Sequence, residues 1–125
     1  DVLPWCRDHD VGVIPYSPMA RGLLTGKVKA DHVFPANDHR LNVRWFQPAV
    51  RPRVLAALEK ARAMAAAYGC SLGNLAVAWT LATPGITSAI VGARNAEQAR
   101  ENARAMALRL SPADHAAFAE LFSGI

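Results

Sequence analysis

The run Ile86-Thr87-Ser88-Ala89-Ile90-Val91, followed by Gly92-Ala93-Arg94-Asn95-Ala96-Glu97-Gln98-Ala99-Arg100-Glu101-Asn102, decides how this chain is read. Its first part is an apolar, strand-like stretch, and a glycine-containing turn leads from it into a helix start. That succession is where α/β proteins hold phosphates, because first-turn N–H groups have no intrahelical partner and the helix dipole favours an anion there. Arg94 adds a planar fork that matches phosphate oxygens. Gln98 and Asn102 lie four residues apart, so they share one helix face and reach the same ligand. Gly92, Arg94, Gln98 and Asn102 therefore read as a nucleotide-phosphate site. A second reading has equal standing at this point: Asn95 and Gln98 also fit a helix start whose cap and third residue satisfy each other's backbone N–H groups.

Working outward, residues 2–10 read as the end of a helix with Trp5 and Cys6 on its apolar side. Val11-Gly12-Val13-Ile14-Pro15-Tyr16-Ser17 reads as a buried strand, tolerating Pro15 only near its end because proline gives no N–H to a ladder. Residues 18–52 lack a sustained period and read as a long loop, with a helical turn near Ala20 and Leu24; loops of this length in compact proteins are usually functional. Val54, Leu58, Ala61, Ala65 and Tyr68 then form one helix stripe that Gly69 ends. Ser71 caps a second helix whose packing face is Leu72, Leu75, Ala76, Trp79 and Ala82. After Pro84-Gly85 and the strand at 86–91, a helix from Ala96 is expected to face Ala99, Ala103 and Met106 inward. Ser111-Pro112-Ala113-Asp114 opens a last helix that packs through Ala117, Phe118, Leu121 and Phe122.

Strands alternating with helices argue for a parallel α/β sheet, and strands apolar on both faces argue for one covered on each side. Two strands cannot make such a sheet alone, so residues 1–125 read as one piece of a larger fold. The chain begins with Asp1 rather than Met, in keeping with that expectation.

Composition narrows the function classes. Hydrophobic residues make up 52% and charged residues 19%, which excludes a disordered chain. No apolar run is long enough for a membrane helix, and the N-terminus shows no signal-peptide pattern. Two cysteines, Cys6 and Cys70, do not make a disulfide framework, so a reducing cytoplasm is the expected compartment. Cys6 and His9 lack a second ligand pair, and no metal site is expected. The net charge of +4 comes from scattered arginines, which suits small anionic ligands better than nucleic acid. No Ser–His or Cys–His constellation is visible.

A second chemical cluster, Tyr16-Ser17-Pro18-Met19-Ala20-Arg21-Gly22-Leu23-Leu24-Thr25-Gly26-Lys27, sits at the C-terminal end of the first strand, where parallel sheets and barrels place ligands. Tyr16 offers a flat ring for stacking on a heterocycle, or serves simply as a half-buried strand-end aromatic. Ser17, Arg21 and the backbone near Gly22 suit a pyrophosphate. This is not a Walker loop, since the glycine spacing is one residue short and Val28 replaces the metal-binding hydroxyl. Asp38-His39-Arg40 reads mainly as solvated loop, with polar site residues as the alternative. Trp45 and Phe46 read as a pocket wall or as loop anchors.

Taken together, the two clusters resemble aldo-keto reductases. The segment Tyr16 to Lys27 is similar to the one after their seventh strand. Gly92-Ala93-Arg94-x-x-x-Gln98-x-x-x-Asn102 is similar to their adenosine 2′-phosphate segment after the eighth strand. Asp38-His39-Arg40 to Phe46 and Leu75-Ala76-Val77-Ala78-Trp79-Thr80-Leu81 also look like family sequence. The resemblance implies an α/β fold, the C-terminal part of a (β/α)8 TIM barrel comprising its last two strands and their helices. It implies NADP(H) as cofactor, an aldehyde or ketone as substrate of the intact enzyme, and carbonyl reduction by hydride transfer. It places Tyr16 on the nicotinamide, and Ser17, Met19, Arg21 and Leu23 along the pyrophosphate. Gly92, Arg94, Gln98 and Asn102 then hold the adenosine and its 2′-phosphate, with Glu101 on the adenine or ribose. The family's catalytic Asp, Tyr, Lys and His belong to the first half of the barrel, so this chain is expected to hold no catalytic residue. Its expected partners are the missing barrel segment or a second copy of itself. The competing reading is a non-catalytic nucleotide-binding or partner-completing half-barrel.

Overall fold

A computed structural model describes all 125 residues. Its helices are α1 (Val2–Asp8), α2 (Arg51–Ala67), α3 (Leu72–Ala82), α4 (Ala96–Ala103) and α5 (Pro112–Glu120). Helix α3 is the centre of the packing. Its sequence is apolar apart from Asn74 and Thr80, and every residue from 72 to 78 is buried, which exceeds the single face expected from periodicity. Ser71 caps it, the hydroxyl oxygen accepting from the Asn74 N–H at 3.2 Å.

The stripe expected on α2 is present: Val54, Leu58, Ala61 and Ala65 are all buried. The helix starts slightly before the expected Arg53, with Pro52 in its first turn, where a missing N–H costs nothing. Phe118 of α5 completes the core, with Leu121 and Phe122 half-buried beside it and Ala117 exposed. Ser111 and Asp114 tie α5 to α2, since the Asp114 carboxylate accepts from the Tyr68 hydroxyl at 2.6 Å.

Two expectations about local facing fail. Trp5 is 55% exposed while its neighbour Cys6 is buried, so the pair does not share an apolar side. Ala99, Ala103 and Met106 face outward, and Ala105 is buried instead. Ala99 and Ala103 lie within α4 itself, whose half-buried positions are Gln98, Glu101 and Asn102, so the helix turns its polar stripe inward. Beyond it the chain tightens into a 3-10 turn over Arg104–Ala107, whose repeat of three residues per turn moves the inward position from Met106 to Ala105.

The strands also need correction. Segments 11–16 and 86–91 run side by side, joined by one parallel bridge between Tyr16 and Ile90 rather than by a ladder. Val13 and Pro15 accept from Thr87 and Ile90 N–H at 2.9 Å each. The reverse donors are missing, because Pro15 has no N–H and the Val13 N–H is taken by the Thr87 side-chain oxygen at 3.1 Å. With no third segment beside them, Val11, Ile14, Tyr16 and Ile90 remain exposed.

The long loop is ordered by its own contacts. Arg51 is buried and donates to the carbonyls of Ala30 (2.6 Å) and His32 (2.9 Å), pinning the loop to the start of α2. Phe34 and Phe46 meet edge to face at 5.4 Å inside the core, which settles Phe46 as an anchor. Trp45 stays part-exposed under the Arg44 guanidinium, 4.9 Å from its ring centroid.

Candidate functional site

One wall of the site is the turn that follows Tyr16. Ser17, Ala20 and Arg21 take φ of 58°, 46° and 55°, and Gly22 takes 92°. Left-handed backbone is uncommon outside glycine, and such strain gathers where a fold presents groups to a ligand. It is held by Ala20 N–H to Ser17 O (2.8 Å), Gly22 N–H to Met19 O (3.0 Å) and the Thr25 hydroxyl to Gly22 O (2.7 Å). The turn leaves the Ser17 and Arg21 side chains exposed, and the Tyr16 ring is 76% exposed.

The opposite wall is the start of α4, where capping and ligand-facing geometry coexist. Asn95 Oδ1 accepts from the Gln98 N–H at 2.9 Å, and Gln98 Oε1 accepts from the Arg94 N–H at 2.9 Å. The reach back is therefore to Arg94, not to the cap residue as a reciprocal box requires. Asn102 Nδ2 donates to Gly92 O at 3.1 Å. Each amide spends one end on the turn, leaving the Gln98 amino group and the Asn102 carbonyl oxygen for other partners. The Arg94 side chain has no protein partner.

The floor is the N-terminus of α3. A side chain at Gly73 would place Cβ only 3.2 Å from Met19 Sδ, so glycine lets helix and turn approach. Asn74, almost wholly buried, donates through Nδ2 to Glu101 Oε1 at 3.0 Å. Arg104 reaches the other oxygen of Glu101 at 3.3 Å. Beside them, burial pushes the Cys70 thiol up, and the Glu101 charge adds to it, so Cys70 stays protonated.

These walls enclose an open cleft of about 1070 Å³. Tyr16, Ser17, Met19, Arg21, Gly92, Arg94, Gln98, Glu101 and Asn102 all line it. Leu23 does not. Its side chain is fully buried in the core, so the residue expected beside a pyrophosphate is a packing residue that holds the turn down. Sequence reasoning passed over Lys27, Ser71, Asn74, Arg100 and Arg104, and set Arg40 aside as loop; all six line the cleft. Arg40 is pinned by the Asp38 carboxylate at 2.5 Å and lies 4.5 Å from the Phe34 ring centroid. These contacts hold the Asp38 carboxyl well below the usual range, chiefly through the Arg40 side-chain hydrogen bond.

The charge of the lining is one-sided. Arg21, Lys27, Arg40, Arg94, Arg100 and Arg104 face two acids, Glu97 and Glu101. Only Arg40 and Arg104 are in ion pairs, so Arg21, Lys27, Arg94 and Arg100 are free to meet an anion. The donor set suits a polyanion with aromatic ends: hydroxyl, amide and guanidinium groups along the middle and an exposed ring at one end. No group of three or more His, Cys, Asp or Glu is placed to hold a metal, and His9 stacks on Trp5 at 4.2 Å. No helix is long and apolar enough to cross a membrane.

Residues 1–122 match the model of the aldo/keto reductase family. The chain belongs to that family. It is 40% identical over 114 residues to an NADH-specific methylglyoxal reductase of Escherichia coli, covering 91% of this chain and 34% of that protein. It is 30% identical over 112 residues to an aldo-keto reductase of Schizosaccharomyces pombe whose name carries NADP(+), covering 90% and 33%. The structure of a glycerol dehydrogenase from Gluconobacter oxydans superposes with a TM-score of 0.91 at 31% identity, over 98% of this chain and 37% of that one. The chain thus spans about a third of the length of the relatives it matches. Aldo-keto reductases normally fold as (β/α)8 barrels, and the helical arrangement described above is consistent with part of one. Family members bind a nicotinamide cofactor and carbonyl substrates.

Proposed function

We propose that this chain is the dinucleotide-holding part of an aldo-keto reductase, and that the cofactor is NADP(H). The observation that carries the reading is the meeting of the strained Ser17–Gly22 turn and the α4 start across one cleft, with four unpaired cations between them. Bound there, the cofactor supplies a hydride for reduction of an aldehyde or ketone carbonyl. The chain's own residues bind and orient. Tyr16 offers its exposed ring to the nicotinamide, Ser17 and Arg21 lie along the pyrophosphate, and Met19 packs between turn and α3. The 2′-phosphate falls to Arg94, with the Gln98 amino group beside it, while Asn102 and Glu101 take the adenosine. Lys27 adds free positive charge on the turn side, where Arg40 is already paired with Asp38. No residue of this chain acts as the proton donor in this reading.

The choice of NADP(H) over NAD(H) rests on the Arg94 guanidinium, since one relative is named for NADH and another for NADP(+). An arginine without a carboxylate partner, next to a helix N-terminus, favours the extra phosphate. Titration with NADPH and NADH, read by nicotinamide fluorescence, tests this. NADPH should bind tighter, and Arg94→Ala should weaken NADPH by roughly tenfold or more while leaving NADH nearly unchanged. Equal losses for both cofactors would contradict the assignment of Arg94 to the 2′-phosphate.

A further inference from the structure

Helix α3 buries its surface almost entirely with apolar side chains, and its two buried polar residues behave differently. Thr80 turns back on its own helix, donating to the Ala76 carbonyl at 3.0 Å. Asn74 instead reaches across to α4 and donates to Glu101 Oε1 at 3.0 Å. Burying an amide costs free energy unless its hydrogen bonds are made, so this link holds a particular partner rather than merely filling space. Arg104 takes the second oxygen from the solvent side at 3.3 Å, its own side chain 77% exposed. Glu101 is thus braced from two directions while still facing the cleft.

A carboxylate in a cleft of surplus positive charge is out of place against a polyanion unless it meets a donor on the ligand. Adenine carries such a donor in its exocyclic amino group. Resting on the dinucleotide reading above, we infer that Asn74 is the positioning residue that fixes Glu101 as the acceptor for that amino group, making the pair the determinant of base selectivity. Asn74 is almost wholly buried at the edge of the cleft and spends its amino group on Glu101. It acts by freezing the Glu101 side chain, so that the acceptor is set before binding and its rotamer entropy is not lost at that moment.

The test compares NADPH with its hypoxanthine analogue, in which a carbonyl oxygen replaces the amino group and would face the carboxylate. Binding of both is measured for the unsubstituted chain, Asn74→Ala, Glu101→Ala and the double variant. The unsubstituted chain should prefer the adenine form, and Asn74→Ala should lower that ratio by roughly fivefold to tenfold. Glu101→Ala should lower it at least as far, and the double variant no further, because the two residues act as one unit. Glu101→Ala leaves the buried Asn74 amide unpaired, so the double variant, which removes both groups, sets the floor for the ratio. A general loosening of the fold would weaken both ligands alike and leave the ratio unchanged. An unchanged ratio in Asn74→Ala or in Glu101→Ala, with both ligands still bound, overturns this inference and leaves the cofactor reading standing. No saturable binding of either ligand by the unsubstituted chain overturns both.

Discussion

Leu23 and Arg21 stand two positions apart on the same strained turn, and they show how single side chains divide the work there. Arg21 is exposed on the cleft, whereas Leu23 is fully buried against the core. Leu23→Ala should therefore lower stability by about 2–5 kcal/mol, seen as a lower urea midpoint at unchanged slope. Arg21→Ala should leave stability within about 0.5 kcal/mol and weaken the binding of dinucleotide. A second residue-scale prediction concerns pH. The Ser111 hydroxyl, and after it the Tyr68 hydroxyl, donate to the Asp114 carboxylate and hold its pKa below the ordinary value. A carboxyl lowered in the folded state adds stability above its unfolded pKa, about 4, and that contribution disappears as pH falls through the lowered folded value. Tyr68→Phe should raise the Asp114 pKa in a carboxyl NMR titration and shrink the acid-side loss of stability. An unmoved titration would show that the hydrogen bond seen between Tyr68 and Asp114 is not populated.

At the scale of elements, helices were legible where apolar residues repeated over several turns, as in α2, because burial there obeys the period of the helix itself. The caps at Ser71, Asn95 and Ser111 were legible for the same local reason: each side chain accepts from a backbone N–H three residues on. What escaped depended on the folded arrangement rather than on a local pattern. The inward face of α4 is its polar stripe of Gln98, Glu101 and Asn102 rather than its alanines, because it packs on the polar N-terminus of α3 around Asn74. Arg40 reads as solvated loop from the sequence because its contacts with the nearby Asp38 and Phe34 form only when the loop folds. Asn74 gave no signal beyond being a polar residue in an apolar helix. The cleft-lining residues of the two motifs were legible because each motif is contiguous, while the floor from α3 was not. Arg40 supplies the prediction at this scale. Arg40→Met should keep the aromatic contact yet remove one cleft cation, so dinucleotide affinity should fall and become less dependent on salt. An unchanged salt dependence would place Arg40 outside the ligand's field.

For the molecule as a whole, the cleft and the two bare extended segments belong to one problem. Val11, Ile14, Tyr16 and Ile90 expose an apolar edge that one parallel bridge does not cover. Backbone groups without ladder partners and apolar side chains in water both favour covering by another chain segment. The 125 residues studied by themselves should therefore show concentration-dependent association in sedimentation, reduced by Ile14→Lys. A sharp monomer at all concentrations would contradict this. In the proposed function, segments 16–27 and 92–102 form the two walls of a single dinucleotide site. Hydrogen exchange with and without saturating NADPH tests it most directly. Added protection is expected in both segments and at the start of α3, with α2 and α5 little changed; protection in one wall alone, or none in either, would show that the two do not share a ligand.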